Sequence, residues 1–376
     1  MIRILQVVPS LDIGAGMMSV VMNYYRQTDR TKIQFDFLYF DREGSSHAAE
    51  IEELGGRTFF MKIPTLLPAD QEMLRRFFDE HKGEFYAVHC HPIWAFAAIG
   101  PQARRSGIKH VIQHCHSTRY SEKRLSAVRN RLLIALDLRA ATDLAACSEE
   151  AAALFGRRRA AEGKVFILRN AIDLDRYSFD RELREETRRS LGVGRDAPLI
   201  GTIGRHSFEK NQLYAVDVFK AFRDICPGSR GIMVGEGPMR PRIEERIRSS
   251  GMEKDVIMTG SRKDVRALLS AMDLFILPSL FEGTPVSVVE ALASGLPCLL
   301  SDTVTRSLSA GGVRYLSIKA DPRVWAEEGM ALMNERKGQD RGDVREVAAL
   351  GLDIAKVGKA LEEYYMGLVK NDERGI

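Results

Sequence analysis

Phe281-Glu282-Gly283-Thr284-Pro285-Val286-Ser287-Val288-Val289-Glu290-Ala291-Leu292-Ala293-Ser294-Gly295-Leu296-Pro297 sets one carboxylate in a glycine-containing loop and a second inside a helix whose start and end are both written in the sequence. Thr284 can cap, Pro285 suits the first helical position because its missing N–H would be unpaired anyway, and Gly295 suits a left-handed exit. The N–H groups from Val286 onward then point toward whatever Glu282 faces, and such a helix end carries partial positive charge that binds phosphate. One carboxylate can meet hydroxyls close to that anion while the other sits a turn deeper, a geometry that suits a sugar joined to a diphosphate. Taken alone, two glutamates at this spacing are better read as ordinary solvated charges on a capped helix.

The context changes that reading. Upstream lies Gly201-Thr202-Ile203-Gly204-Arg205-His206-Ser207-Phe208-Glu209-Lys210-Asn211, directly after the apolar run Ala197-Pro198-Leu199-Ile200. A strand ending in Gly204, with Arg205 and Lys210 in the following turn, presents a bidentate cation and a point charge to one anion. Met233-Val234-Gly235-Glu236-Gly237-Pro238 is again a strand running into a glycine-rich turn, and Leu277-Pro278-Ser279 precedes the first stretch. Each could be mere strand-to-helix punctuation. Together, in this order, they resemble the nucleotide-sugar half of the family 4 glycosyltransferases. The resemblance implies an α/β chain of two Rossmann-like, doubly wound domains (GT-B) facing a central cleft, and transfer with retention of anomeric configuration.

Composition agrees with a globular enzyme. The 376 residues suffice for two domains with a core each, and a hydrophobic fraction of 45% with 28% charged residues is ordinary for a soluble protein. No apolar run approaches a membrane span, and residues 2–8 read as a strand rather than a signal peptide, so a cytoplasmic location is expected. Cys90, Cys115, Cys147, Cys226 and Cys298 are widely spaced with no C-x-x-C among them, which predicts free thiols. A net charge of +4 excludes a strong nucleic-acid footprint, but 15 basic against 8 acidic residues fall between Gln102 and Arg176. There Leu125, Val128, Leu132 and Leu136 recur at helical spacing among Lys123, Arg124, Arg129 and Arg131. The basic 119–139 stretch is compatible with a helix resting on the inner face of an anionic membrane, and equally with an amphipathic surface helix.

Short apolar runs alternate with helix-like segments, the pattern of parallel sheets covered on both faces. Strands are predicted at 2–8, 34–39, 58–61, 87–90, 110–113, 143–146 and 165–168, then at 199–203, 231–234, 256–258, 274–277 and 298–301. The charged segment 178–196 lacks strand character and marks the boundary. This gives an acceptor-side domain at 1–178, a nucleotide-sugar domain at 179–352, and an amphipathic helix within 353–376 that, in the fold resembled, crosses back to the first domain.

Open parallel sheets bind ligands beyond the carboxyl ends of their strands. After the first strand, Gly14 and Gly16 allow close backbone approach at a helix start; this resembles the family's glycine loop, although Gly14-Ala15-Gly16-Met17-Met18 lacks the usual adjacent glycines and following acid. His89-Cys90-His91 and His114-Cys115-His116 sit just past two predicted strands, and alternation puts each pair of histidines on one face, spacing that zinc could use. With no carboxylate in either triplet, and a family that does not depend on metal, the reading is no metal. Asp173-Leu174-Asp175 has the form of a metal-binding motif but reads as the exit turn of the first domain, and Cys147-Ser148-Glu149-Glu150 reads as a helix cap rather than a nucleophile.

The resemblance assigns roles residue by residue. His116 matches the histidine that reaches donor sugar and diphosphate, Glu290 would hold the ribose, Glu282 a sugar hydroxyl, and Arg205, Lys210 and the helix start at Gly283, Thr284, Pro285 and Val286 would cradle the diphosphate. Gly235 and Arg262 would line the nucleotide. The expected activity is metal-independent hexosyl transfer from a nucleotide diphosphate sugar, UDP ahead of GDP, with no cofactor. The segment ending Met22-Asn23-Tyr24-Tyr25-Arg26 is similar to bacterial exopolysaccharide and capsule enzymes, which implies a saccharide or lipid-linked acceptor. An epimerase on the same fold and a silent sugar-nucleotide-binding protein are the competing readings.

Overall fold

A computed structural model describes residues 1–42, 46–117, 124–338, 341 and 344–374. The chain divides into two compact units, Met1–Asn170 with Ile354–Ile376, and Ala171–Asp353. Strands of the first are β1 Ile2–Val7, β2 Ile33–Tyr39, β3 Thr58–Phe60, β4 Ala87–Cys90, β5 His110–Cys115, β6 Asp143–Ala146 and β7 Phe166–Ile167. Strands of the second are β8 Leu199–Ile203, β9 Arg230–Val234, β10 Val256–Gly260, β11 Leu274–Leu277, β12 Cys298–Ser301 and β13 Val313–Leu316.

Both sheets are parallel throughout, with orders β3-β2-β1-β4-β5-β6-β7 and β10-β9-β8-β11-β12-β13. The central strands are continuous apolar runs because helices cover both faces; β8, β11 and β12 are buried along their whole length. In each unit the chain first winds outward from the opening strand and then jumps to its other side. The order therefore reverses between β1 and β4 and between β8 and β11.

β13 is absent from the sequence reading. It is an edge strand, half-buried throughout, and Arg314 interrupts its apolar run, so it lacks the signal that marks the interior strands. The boundary also shifts. Ile172 and Leu174 are buried in the core of the second unit, which therefore begins at Ala171 rather than after residue 178.

Nor is 178–196 a linker. It contains the helix Arg181–Ser190, capped by Asp180, whose carboxylate accepts from the Leu183 N–H at 3.0 Å. Arg184 from this helix donates to the carbonyls of Ser270, Ala271 and Met272 at 2.9–3.1 Å and to Asp273 at 2.5 Å. Arg188, 3% exposed, donates to Ala271 O at 2.7 Å, Asp273 Oδ2 at 3.1 Å, Gly194 O at 2.7 Å and Ala197 O. Arg341 adds bonds to the carbonyls of Leu269 and Met272 at 3.1 Å. Three guanidinium groups thus close the carboxyl end of the helix Val265–Ala271, where unpaired carbonyls carry partial negative charge.

The segment Ile354–Arg374 forms one helix belonging to the first unit. Gly358 lets it approach the helix Gly16–Gln27, since a Cβ there would lie 2.9 Å from Gln27 Cβ, and Lys32 pairs with Glu362 at 2.8 Å. Its Tyr365 is buried and reaches Gln6 on β1 at 3.2 Å. All five cysteines are free. Among the described residues no helix is long and apolar enough to cross a membrane.

Arg188→Met removes the buried donor from the carbonyls of Gly194 and Ala197 while Asp273 keeps Arg184, so urea unfolding should show a loss of about 1–3 kcal/mol. Arg195→Met, at a largely exposed side chain of the same segment, should change the midpoint little.

Candidate active site

In the second unit the loops after β8 and β11 flank the point where strand order reverses, the place where an open parallel sheet leaves a crevice. The two loops are tied together. Leu280 N–H donates to Glu209 O at 2.7 Å, and Asn211 Nδ2 donates to Pro278 O at 3.1 Å. Asn211 holds the left-handed conformation at φ 53°, which turns the chain from a short 3-10 segment into the helix Gln212–Ile225. Across this seam Lys210 Nζ lies 2.5 Å from Glu282 Oε1, and Ser279 Oγ lies 3.4 Å from the same oxygen. Two of the residues singled out for function are therefore one ion pair, each side chain 17% exposed.

The loop after β9 joins from the other side. Gly204 N–H donates to Val234 O at 3.0 Å, His206 N–H to Glu236 O at 2.7 Å, and Gly235 N–H to Gly260 O at 2.9 Å. Gly235 has φ 135°, and a Cβ on it would sit 2.1 Å from Gly204 O, so only glycine permits this approach. Arg205 is exposed, with no ion-pair partner among the described residues, and its carbonyl accepts from Gln212 Nε2 at 2.8 Å. Arg262 is exposed too and is forked onto Asp264 at 2.7 and 2.5 Å.

The helix carrying Glu290 spans Val286–Ala293. Pro285 stands at its N-cap with extended dihedrals (φ −70°, ψ 121°), which corrects the expectation that Pro285 is the first helical residue and Thr284 the cap. The ring still fits, because Val288 and Val289 N–H groups both donate to the Pro285 carbonyl. Gly283, Thr284 and Pro285 are buried and Val286 half-buried, while Gly295 leaves the helix at φ 62° as expected. Burial pushes the Glu290 carboxyl up to about 7, opposed by a hydrogen bond from Tyr177 and by Arg176. Tyr177 is held by its own carbonyl, which accepts from Ser294 Oγ at 2.6 Å. It ends the short helix Leu174–Tyr177, whose N-cap is Asp173; the Asp173-Leu174-Asp175 motif thus shapes a turn. Ser148 likewise caps, accepting from Ala151 N–H at 3.2 Å.

In the first unit the corresponding seam lies between β1 and β4. Gly14 N–H donates to Asp12 Oδ1 at 3.1 Å and Gly16 opens the helix Gly16–Gln27 with open space where a Cβ would stand. Beside it the four histidines come together. His89, His91 and His114 are buried and His116 half-buried. His89 Nε2 lies 3.0 Å from His114 Nδ1, and His91 Nδ1 lies 2.8 Å from His116 Nε2. Gln6 Oε1 meets His91 Nε2 at 2.9 Å and the Tyr365 hydroxyl meets His89 Nδ1 at 2.6 Å. Desolvation lowers all four imidazoles, His89 to about 3 and His116 to about 4, where Asn170 hydrogen-bonds it; His91 and His114 fall well below the usual range.

Ligand atoms of His89, His91 and His114 lie within 4.8 Å of one another, close enough to hold a metal ion. Against that, His89 stacks on both of the others, with interplanar angles of 13° to His91 and 27° to His114, while His91 and His114 are tilted at 39°. Gln6 and Tyr365 escape a motif reading of the sequence. Gln6 is legible only as the polar interruption of Ile4-Leu5-Gln6-Val7-Val8, and nothing near Tyr365 marks it.

The basic segment forms the helix Arg124–Ala140. Val128 and Leu132 are 60% and 63% exposed and Ile134 is buried. Lys123 lies outside the described residues, as do the side chains of Arg124, Leu125 and Leu136.

A fold of two parallel-sheet units with a nucleotide-type seam in each defines the GT-B class of α/β enzymes. The family description "Glycosyltransferase Family 4" matches residues 14–176 and "Glycosyl transferases group 1" matches 197–335. EpsF of Bacillus subtilis, a glycosyltransferase by name, is 32% identical over 99% of this chain and 98% of its own. An Escherichia coli UDP-Gal:alpha-D-GlcNAc-diphosphoundecaprenol alpha-1,3-galactosyltransferase is 29% identical over 37% of each chain. The crystal structure of HepE from Anabaena in complex with UDP-glucose shares the fold, with a TM-score of 0.81 over 98% of this chain and 100% of that one at 16% identity. The chain belongs to the family 4 glycosyltransferases of bacterial type and is a transferase enzyme.

The raised Glu290 carboxyl has a consequence for stability. A carboxyl that titrates near 7 when folded and near its ordinary 4.5 when unfolded holds its proton longer in the native state, so stability is lost as pH rises from about 4.5 to about 7. Urea midpoints should fall across that window in the wild type, and Glu290→Gln should flatten this part of the profile. Parallel profiles for the two proteins would show that Glu290 titrates normally.

Proposed function

We propose that this enzyme moves a hexose from a UDP-sugar to a saccharide or lipid-linked acceptor in bacterial polysaccharide synthesis, with retention of configuration and without a metal. The observation that carries the reading is the seam between β8 and β11. There Lys210 and Glu282 form an ion pair across the loops that follow adjacent strands; Arg205 lies in the first of these loops, and the helix bearing Glu290 begins after the second. The UDP and UDP-glucose complexes of HepE support a uridine donor, and the diphosphoundecaprenol acceptor in the name of the Escherichia coli relative supports a lipid-linked one.

The chemistry follows from charge. Breaking the anomeric bond builds positive charge on the sugar ring and negative charge on the departing phosphate, and preorganised cations lower that barrier because they act more strongly on the transition state. Arg205 offers a fork of donors. Lys210 has three N–H donors, so it can steady Glu282 and still address a phosphate oxygen. Glu282, thus fixed, takes a sugar hydroxyl beside the developing cation, while Glu290 accepts from the ribose, and Gly235 and Arg262 line the nucleotide. His116 serves the donor, and Gly14 and Gly16 leave backbone room for a phosphate. The exposed Val128 and Leu132, among exposed Arg129 and Arg131, suit contact with an anionic bilayer at the cytoplasmic face.

Arg205→Ala and Lys210→Ala should each lower transfer at saturating donor on the order of 10²–10³-fold; near-normal rates would displace the diphosphate from this seam. The two glutamates should separate by role. Glu290→Gln weakens calorimetric binding of UDP, whereas Glu282→Gln slows saturated turnover while UDP still binds. Equal, small effects in both would reduce them to solvated charges.

Chelator treatment should leave transfer intact. A loss of activity restored by a divalent ion would overturn the metal-independent mechanism.

A further inference from the structure

The buried polar contacts of the first unit form a connected circuit whose direction can be worked out atom by atom. Gln6 Nε2 donates to the Tyr365 oxygen at 3.2 Å, so the phenolic proton is left for His89 Nδ1, 2.6 Å away. His89 then carries its proton on Nε2 and gives it to His114 Nδ1 at 3.0 Å, which leaves the His114 proton on Nε2. On the other branch Gln6 Oε1 can only accept, so His91 Nε2 carries the proton across 2.9 Å. His91 Nδ1 is therefore an acceptor, and His116 Nε2 donates to it at 2.8 Å. The remaining nitrogen of His116, Nδ1, bears no proton. One primary amide, with a donor end and an acceptor end, fixes both branches.

Burial supports a neutral circuit. Gln6, His89, His91, His114 and Tyr365 are all at most 2% exposed, and the charged side chain acting on His89, Asp143, is occupied by His110 at 3.2 Å and by Thr142 at 2.6 Å. Desolvation holds each ring below its ordinary value, so one proton per ring is the state at neutral pH. A buried imidazole keeps the tautomer that its partner dictates.

We propose that Gln6 and Tyr365 are positioning residues that impose a single proton order on the four imidazoles, and that Gln6, through His91, acts together with the Asn170 hydrogen bond to set which nitrogen of His116 carries the proton. This rests on the reading that His116 serves the donor. The amide is the branch point, the phenol serves the His89 and His114 branch, and His91 alone connects Gln6 to His116. The order makes unequal demands on the two branches, which is what renders it testable.

Histidine-selective ¹⁵N labelling and long-range proton–nitrogen correlation report each tautomer directly. The wild type should show His89, His91, His114 and His116 all protonated on Nε2. In Gln6→Glu the carboxylate has acceptors only, so the phenolic proton turns to it; His89 and His114 should switch to Nδ1–H while His91 and His116 keep Nε2–H. In Tyr365→Phe, which leaves the amide in place, His89 and His114 should lose their fixed tautomer and the other two should not. Unchanged His89 and His114 in both variants, a doubly protonated ring in the wild type, or stoichiometric Zn²⁺ uptake that replaces the ring-to-ring contacts would overturn the proposal. Gln6→Leu frees His91 and His116 and should lower kcat on the order of tenfold or more with little change in donor KM, the range that outer-shell partners of functional histidines command. A normal kcat with a scrambled His116 tautomer would remove His116 from the reaction, a failure of the function reading that the nitrogen spectra keep distinct from failure of the proton order.

Discussion

A parallel sheet whose crossovers leave in opposite directions has one gap where neighbouring strand ends are not covered by their own connections, and both units of this protein are organised around that gap. In the first it opens between β1 and β4, in the second between β8 and β11. The winding order alone decides which loops can converge. Gln6 meets His91, one residue past β4, because β1 and β4 are adjacent, with Gln6 in register with His89. Lys210 meets Glu282 because β8 and β11 are adjacent, although 71 residues separate the two in the chain.

The two gaps are filled by opposite electrostatic solutions. In the second unit the polar groups stay in part accessible, and Lys210 and Glu282 keep their charges as a pair at 17% exposure each. In the first unit the groups are withdrawn from water, where an unpaired charge costs far more than a neutral hydrogen bond, and the imidazoles remain uncharged. Glu290 stands between these regimes. Its carboxyl is desolvated more than Tyr177 and Arg176 offset, so its proton is held to about 7.

Much of this was readable from residues in order, and the exceptions have physical causes. Leu199–Ile203, Leu274–Leu277 and Cys298–Ser301 announce themselves as unbroken apolar runs, because both faces of an interior strand are covered. Val313–Leu316 does not, since an edge strand tolerates Arg314. The charged run 178–196 looked like a connector because its arginines are directed to carbonyls of a distant helix end, a pairing that no local pattern shows. Around the seams, the helix exit at Gly295 was legible from spacing and the histidine pairs from strand alternation, whereas the pairing of Glu282 with Lys210 needed the fold. Pro285 was misplaced by a single position, since a proline ring is equally suited to an extended cap. Gln6 and Tyr365 lay beyond reach, because their partnership depends on a segment 359 residues away returning to β1.

That return bears on how the polypeptide is made. The second unit is one uninterrupted stretch, Ala171–Asp353, so a ribosome can deliver all of it before the helix Ile354–Arg374 exists. The first unit, although synthesised earlier, lacks the helix that seals Gln6 and β1 until translation has passed beyond residue 354. Vectorial synthesis therefore finishes the later unit first, and the earlier one must wait with its polar seam unsealed, a period in which nascent chain would be open to chaperones and proteases.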